Sequence, residues 1–328
     1  MDRIEAKAGE MSSKHLVDPE LLAALETLPS FTFSSEVLPL VRQGLDDMLA
    51  ALPAPEGLQV DVTERRIATP QGHDIGVLIY TPSGTGVRPA VLHMHGGGYI
   101  LGRARMNDIS NRMLAIDAQC VIISVDYRLA PETPHPGSLE DCYAALKWVH
   151  DNAEALGVDR RRIAVSGESA GGGLAAALAL LARDRGEVPL IFQRLIYPMI
   201  DDRTGTGAHP HPYTGEFVWT AASNRFGWSS LLGRAPGGEG VSAYAATARA
   251  ENLAGLPAAY IGVGALDLFL EESIEYARRL TRAGVPTELH VYPGAYHAFD
   301  AAPEARVTQA AQRDALHALL RALHPEID

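Results

Sequence analysis

The residues most capable of chemistry in this chain are Gly167-Glu168-Ser169-Ala170-Gly171, a G-x-S-x-G pattern. Three fixed positions in five recur often by chance, so the setting decides what the pattern means. An apolar run, Ile163-Ala164-Val165, leads into it, and a run of small residues (Ala170, Gly171, Gly172, Gly173, Ala175, Ala176) leads out. Strand, tight turn, helix is the arrangement that holds a serine in a strained backbone and presents its hydroxyl as a nucleophile. Side chains at Gly167 and Gly171 would collide with neighbouring backbone in so sharp a turn. The helix that follows points its N-terminus at the hydroxyl, and its dipole favours negative charge developing there. A phosphate-binding loop is the competing reading, but it needs a lysine that is absent here.

Upstream, Leu92-His93-Met94-His95-Gly96-Gly97-Gly98-Tyr99 follows another apolar run. Three glycines let backbone N–H groups converge on one point with no side chain in the way. An HGGG segment after a strand is suited to holding the oxyanion of a tetrahedral intermediate. The expected donors are the N–H groups of Gly97, Gly98 and Ala170, with Gly96 shaping the turn and His95 bracing the loop by hydrogen bonding. His93 and His95 are spaced like two zinc ligands on a strand, but no third ligand follows at a metal-site spacing, so no metal is expected. No cofactor is expected either.

A serine nucleophile needs a base and an acid, in the chain order Ser, Asp or Glu, His. Gly264-Ala265-Leu266-Asp267-Leu268-Phe269 and Tyr292-Pro293-Gly294-Ala295-Tyr296-His297-Ala298-Phe299 each follow a strand-like run. This order assigns Ser169, Asp267 and His297 as nucleophile, acid and base. Asp267 as a plain helix cap is the bland alternative. Glu271 and Glu272 are rivals for the acid but fall inside the next helix, and Asp300 is too close to His297 in sequence to reach behind it.

These segments must be positioned by a scaffold, and the rest of the sequence shows one. Strands are expected at 58–66, 75–80, 90–93, 121–125, 163–165, 191–196, 258–263 and 288–292. Helices are expected at 107–118, 139–156, 170–183, 271–283 and 304–323. Continuous apolar strands alternating with helices imply a mostly parallel eight-stranded sheet covered on both faces, an α/β architecture in a single domain spanning residues 1–328. Residues 202–250 break the alternation. They are rich in Gly, Pro, His and aromatics and have no strand pattern, the texture of a lid or substrate-binding segment. Together with the short helices expected in about residues 1–52, they are read as a helical cap. Tyr99, Phe217 and Trp219 are its expected pocket lining, with Phe226 and Trp228 as further candidates.

Composition sets outer limits. The 328 residues carry 28 Lys and Arg against 40 Asp and Glu, a net charge of −12. That charge argues against a nucleic-acid or anionic-membrane partner, both of which need a basic face. The two cysteines, Cys120 and Cys142, read as reduced core thiols. The first seven residues alternate charge without an apolar core, and the longest uncharged apolar run, 170–182, is shorter than the roughly 20 residues a membrane span needs. A soluble cytoplasmic protein is the expectation.

With these motifs in place the chain resembles the bacterial hormone-sensitive-lipase-like esterases, which have the α/β-hydrolase fold. The resemblance covers about residue 58 to the end. It rests on His95-Gly96-Gly97-Gly98, Asp126-Tyr127-Arg128-Leu129-Ala130-Pro131-Glu132, Gly167-Glu168-Ser169-Ala170-Gly171-Gly172, and Asp267 and His297 in the right order. It implies hydrolysis of short and medium acyl esters without a cofactor, a two-part cap and often a homodimer. Arg128, Glu132 and Asp141 read as scaffold charges. The chain departs from the family at three points: Asp267 is followed by Leu-Phe rather than Pro-Leu, His297 by Ala rather than Gly, and the residue before the nucleophile is Glu168 where Asp is common. None removes a functional group. An amidase or deacetylase with the same three residues stays open, and so does a non-catalytic small-molecule receptor on the same fold.

Overall fold

Eight β-strands form one sheet in this computed structural model, which describes residues 12–27, 32–53, 55, 57–208 and 210–325. They are β1 (Val60–Ala68), β2 (Asp74–Pro82), β3 (Arg88–Met94), β4 (Val121–Asp126), β5 (Val158–Glu168), β6 (Phe192–Ile196), β7 (Ala258–Gly264) and β8 (Thr287–Tyr292). Their spatial order is β1-β2-β4-β3-β5-β6-β7-β8. β2 pairs antiparallel with both β1 and β4, while β4, β3, β5, β6, β7 and β8 run parallel. Parallel strands need crossovers, and helices supply them. The helices are α1 (Leu22–Thr27), α2 (Leu38–Ala51), α3 (Asp108–Asp117), α4 (Gly137–Asp151), α5 (Ala170–Arg185), α6 (Ala221–Leu232), α7 (Leu270–Arg282) and α8 (Arg306–Leu323).

The interior strands read as unbroken apolar runs because the sheet is covered on both sides. Leu92, Ile123 and Val165 belong to the core beneath α4 and α5, whereas Val91, Ile122 and Ala164 belong to the core beneath α3 and α8. That alternation follows from the period-two pleat. α5 is buried at every position from Ala170 to Ala182, which explains its small, uncharged first turns: larger residues would hold it off the sheet. Cys120 and Cys142 are buried free thiols. Among the described residues no helix is long and apolar enough to cross a membrane.

Most element boundaries fall within two residues of their sequence assignments. β5 and the end of α4 are the exceptions: β5 starts at Val158, five residues early, through Asp159-Arg160-Arg161-Arg162, and ends at Glu168, three residues late. The register against β3 shifts between the Arg88–Val158 and Ala90–Ile163 pairs, so these four residues lie outside the regular ladder and need no apolar signal; Arg162 meets Asp159 there at 3.0 Å. The helix expected to reach residue 156 stops at Asp151. Asn152 caps it by donating its side-chain amide to the Trp148 carbonyl, and irregular turns follow.

Parts of the N-terminal segment, residues 1–11 and 28–31, lie outside the described residues. What is described there is tied to distant parts of the chain. Ser13 donates its N–H and its hydroxyl to the Glu216 carboxylate at 2.5 and 2.6 Å. Arg42 on α2 donates to the carbonyls of Ile100 and Ala130 at 2.8 and 2.7 Å and pairs with Glu132. Phe33 packs against Trp219 and stacks on Phe226, with centroids 5.8 and 6.2 Å apart.

Candidate active site

Strand register assembles the site. Met94 at the end of β3 lies beside Gly167 at the end of β5, so the glycine loop after β3 emerges next to the turn after β5. Gly264 at the end of β7 pairs with Tyr292 at the end of β8, which brings the segments carrying Asp267 and His297 together on the same rim. Ligand sites in parallel sheets form at such carboxyl ends.

The turn into α5 is as tight as the pattern requires. Ser169 has φ 55° and ψ −120°, a region that a residue with a side chain enters only when its surroundings force it. Its N–H donates to the Ile196 carbonyl, and its own carbonyl accepts from Gly173 and Met199. A Cβ on Gly167 would lie 2.3 Å from the Gly171 carbonyl, and one on Gly171 would lie 2.0 Å from the Met94 carbonyl oxygen. Both glycines are there because backbone occupies the space.

The Ser169 hydroxyl donates to His297 Nε2 at 2.9 Å, and His297 Nδ1–H donates to Asp267 Oδ2 at 2.8 Å. The other carboxylate oxygen, Oδ1, accepts the Phe269 N–H at 2.9 Å. Asp267 is fully buried, and Ser169 and His297 retain only 6% and 5% exposure. Tyr197 and Phe269 bracket the imidazole edge-on, 4.8 and 5.1 Å between centroids, which fixes its rotation. The rival acids are engaged elsewhere. Glu272 accepts the Ile200 and Asp201 N–H groups and burial pushes its carboxyl well above the usual range; Asp300 accepts the Tyr197 hydroxyl at 2.7 Å; Glu271 is exposed.

The glycine loop turns back on itself through Ile100 and Leu101 N–H bonds to the Gly97 carbonyl. Gly97 and Gly98 have φ 119° and 61°, and among the described residues neither N–H has a protein acceptor. Ala170 begins α5, so its N–H has no intrahelical partner. The loop meets the nucleophile turn at Gly96, where a Cβ would lie 3.2 Å from the Glu168 carbonyl oxygen and 3.5 Å from the Ser169 Cβ. His95 Nδ1–H donates to the Gly96 carbonyl at 2.8 Å, and its ring stacks on Tyr127 with centroids 4.2 Å apart. Tyr127 in turn donates to the His95 carbonyl at 2.6 Å. Burial pushes the His95 imidazolium down to about 4, so the ring is a neutral brace for the loop. His93 turns to different partners, Glu168 and Ser124, so the two histidines do not converge as metal ligands would.

The expected pocket residues separate into distinct environments. Trp219 lies over the glycine loop: a Cβ on Gly98 would fall 2.1 Å from its Cη2, and its ring centroid is 6.4 Å from that of His297. Its indole N–H donates to Asn224. Tyr99 is 2% exposed, with its hydroxyl donated to the Met199 carbonyl and its ring against the fully buried Trp228. Phe217 contacts Tyr296 edge-on and Phe226 stacks on Phe33. Sequence reasoning did not find Phe33 or Tyr197. Neither sits in a motif, and only the tertiary fold brings them to the site.

A family profile described as the α/β-hydrolase fold matches residues 91–301. The chain belongs to the α/β-hydrolase family. Within this family it is similar to the esterase LipI of Mycobacterium tuberculosis, at 38% identity over 84% of this chain and 86% of that protein. The carboxylesterase NlhH of the same organism is 36% identical over 94% of this chain and 97% of its own length. A solved structure, a bacterial heroin esterase, superimposes with a TM-score of 0.89 at 38% identity, covering 95% of this chain and all of that one. These relatives bear out the resemblance to bacterial hormone-sensitive-lipase-like esterases. Two of this α/β-hydrolase's departures now have a physical reading. Ala298, where the family commonly has glycine, sits at φ 58°, the left-handed region glycine enters freely. Phe269, two residues after Asp267, supplies both an N–H to that carboxylate and a ring to His297. The scaffold charges hold the loop after β4: Asp141 accepts the Arg128 N–H and guanidinium, two of these bonds at 2.8 Å, together with His73 Nε2.

Proposed function

We propose that this α/β-hydrolase is a cofactor-independent carboxylesterase for small esters of short- to medium-chain acids, working through an acyl-enzyme intermediate. The observation that carries the reading is the hydrogen-bonded chain Ser169–His297–Asp267 beside three uncommitted N–H groups. In this reading His297 Nε2 takes the Ser169 proton as Oγ attacks the ester carbonyl. Gly97, Gly98 and Ala170 N–H groups stabilise the oxyanion, and Asp267 stabilises the imidazolium. His297 then protonates the departing alcohol. Water repeats the sequence with His297 as base and releases the acid. The relatives named esterase support the reaction class.

Residues 1–52 and 202–250 form the cap in this reading. The Ser13–Glu216 and Phe33–Trp219 contacts support joining them, and Trp219 is the best-placed wall. A roofed pocket gains about 0.8 kcal/mol per buried methylene while the chain fits, then loses about 1–3 kcal/mol to overpacking. The enzyme is read as cytoplasmic and acting on soluble ester. The test is a p-nitrophenyl ester panel with fluorophosphonate labelling. The kcat/KM should peak at roughly four to eight carbons and fall for palmitate, label should go to Ser169 alone, and Ser169→Ala should be inactive. Label on another serine, or emulsified long-chain triglyceride turned over faster than butyrate, defeats the proposal.

A further inference from the structure

Directly behind the nucleophile lies a polar cluster that the proposed chemistry does not use. Glu168, the residue before Ser169, keeps only 15% of its side chain exposed, and His93 only 2%. His93 Nε2–H donates to Glu168 Oε2 at 2.9 Å, and Asn107 Nδ2 reaches the same oxygen at 3.5 Å. Arg194 Nη1 lies 3.5 Å from Glu168 Oε1 and donates to the Ser166 hydroxyl at 3.0 Å. On its other side, His93 Nδ1 accepts from the Ser124 hydroxyl at 3.0 Å and lies 3.4 Å from the Asn111 amide. The cluster therefore joins β3, β4, β5, β6 and the start of α3 through side chains.

Its position is what gives it meaning. His93 precedes His95-Gly96-Gly97-Gly98 on β3, and Glu168 precedes Ser169-Ala170 on β5. The donors of the oxyanion site come from these two strand ends, two from the first and one from the second. Their backbones pair only as far as Met94 and Gly167. The His93–Glu168 hydrogen bond is a side-chain tie between the two strand ends close to the point where pairing stops.

The charge of Glu168 cannot be what the reaction uses, because a carboxylate one residue from Ser169 opposes the negative charge the tetrahedral intermediate develops. Burial alone would raise the carboxyl, but His93 and Arg194 together hold it below its ordinary range, so the carboxylate is kept as a neutralised acceptor. We infer that Glu168 and His93 are a positioning pair for ester hydrolysis: their hydrogen bond fixes the Gly97 and Gly98 donors relative to Ser169 and Ala170. The inference rests on the carboxylesterase reading above.

The test uses the full chain with p-nitrophenyl butyrate, and the concentration of competent sites is set by fluorophosphonate titration. Glu168→Ala should lower kcat per titrated site about tenfold to hundredfold, the scale of a slightly misplaced donor, with KM within about twofold. Glu168→Gln still accepts from His93 and should recover most of that loss. His93→Asn should fall like Glu168→Ala, and the double variant should be no worse than the lower single, because both remove one bond. A kcat per site within threefold of wild type in Glu168→Ala overturns the inference. So does Glu168→Gln as impaired as Glu168→Ala, or a loss confined to KM. Where Glu168→Ala yields no folded protein, Glu168→Gln and His93→Asn decide by the same criteria. A wild-type chain with neither turnover nor label at Ser169 would instead defeat the carboxylesterase reading.

Discussion

Replacing Asp267 with asparagine tests the acid through a geometric conflict the structure makes explicit. Asp267 uses both oxygens: Oδ2 accepts the His297 Nδ1–H and Oδ1 accepts the Phe269 N–H. An asparagine has one oxygen and one NH₂ for these two places. If the oxygen faces His297, the NH₂ meets the Phe269 N–H and a buried donor is left unpaired, which costs about 1–3 kcal/mol. If the oxygen keeps Phe269, the NH₂ faces His297 and is satisfied only when Nδ1 is bare. The ring proton then sits on Nε2, pointing at Ser169, and the imidazole cannot act as base. The second arrangement is favoured, so the productive tautomer falls by roughly 5- to 150-fold. Loss of the negative charge that stabilises the imidazolium comes on top, and a comparable change in a Ser-His-Asp protease costs about 10⁴ in kcat. The expected result is a drop in kcat of about 10³ to 10⁴ with KM little changed, measured on p-nitrophenyl butyrate and normalised to folded protein by circular dichroism. Activity within tenfold of wild type would refute the argument, and so would an inactive Glu271→Gln beside an active Asp267→Asn.

Three further outcomes follow from individual residues. Trp219→Ala removes the ring over Gly98 and should move the acyl-length optimum toward longer chains, read from kcat/KM across the ester panel; an unmoved optimum means the pocket wall lies elsewhere. His95 is held neutral, with its imidazolium down at about 4 against an ordinary value near 6.5, so the unfolded chain binds a proton that the folded chain does not. That contribution makes stability fall as pH drops from about 6.5 toward 4, by about 3 kcal/mol at most. Thermal unfolding of His95→Gln should show a shallower loss of Tm over that window, and parallel curves would remove His95 as a cause. Ala298→Gly should be neutral to stabilising by up to about 1.5 kcal/mol, since relief of about 1–2 kcal/mol of left-handed strain offsets or outweighs glycine's entropy cost of about 0.5–1; urea denaturation giving a clear loss would show that the alanine methyl is held by packing.

What could be read from the sequence was what local physics writes locally. The interior strands are legible because a strand covered on both faces must be apolar throughout. The turn at Ser169 is legible because only glycine tolerates the backbone contacts at positions 167 and 171. Asp267 and His297 could be assigned because parallel topology sends every strand end to one rim. The charged start of β5 carries no apolar signal because its register against β3 shifts between Val158 and Ile163. The partners of Trp219 and His297 were equally invisible: Phe33 lies 186 residues from Trp219, and Tyr197, which packs on His297, carries no pattern that separates it from any buried tyrosine. The aromatics of the insertion read alike in sequence, yet Trp228 sits in the core against Tyr99 while Trp219 lies over Gly98.

The fit between Trp219 and Gly98 has a consequence for anyone reshaping this enzyme by directed evolution. The 2.1 Å separation means that every side chain at position 98 begins inside the indole. A library randomised at position 98 alone would therefore return almost only dead clones and make the position look immutable. Smaller residues at 219 open the same volume from the opposite side. The two sites, 121 residues apart, therefore have to be opened in order, 219 before 98, and because Gly98 sits at φ 61° the residues then admitted there are those that tolerate the left-handed region.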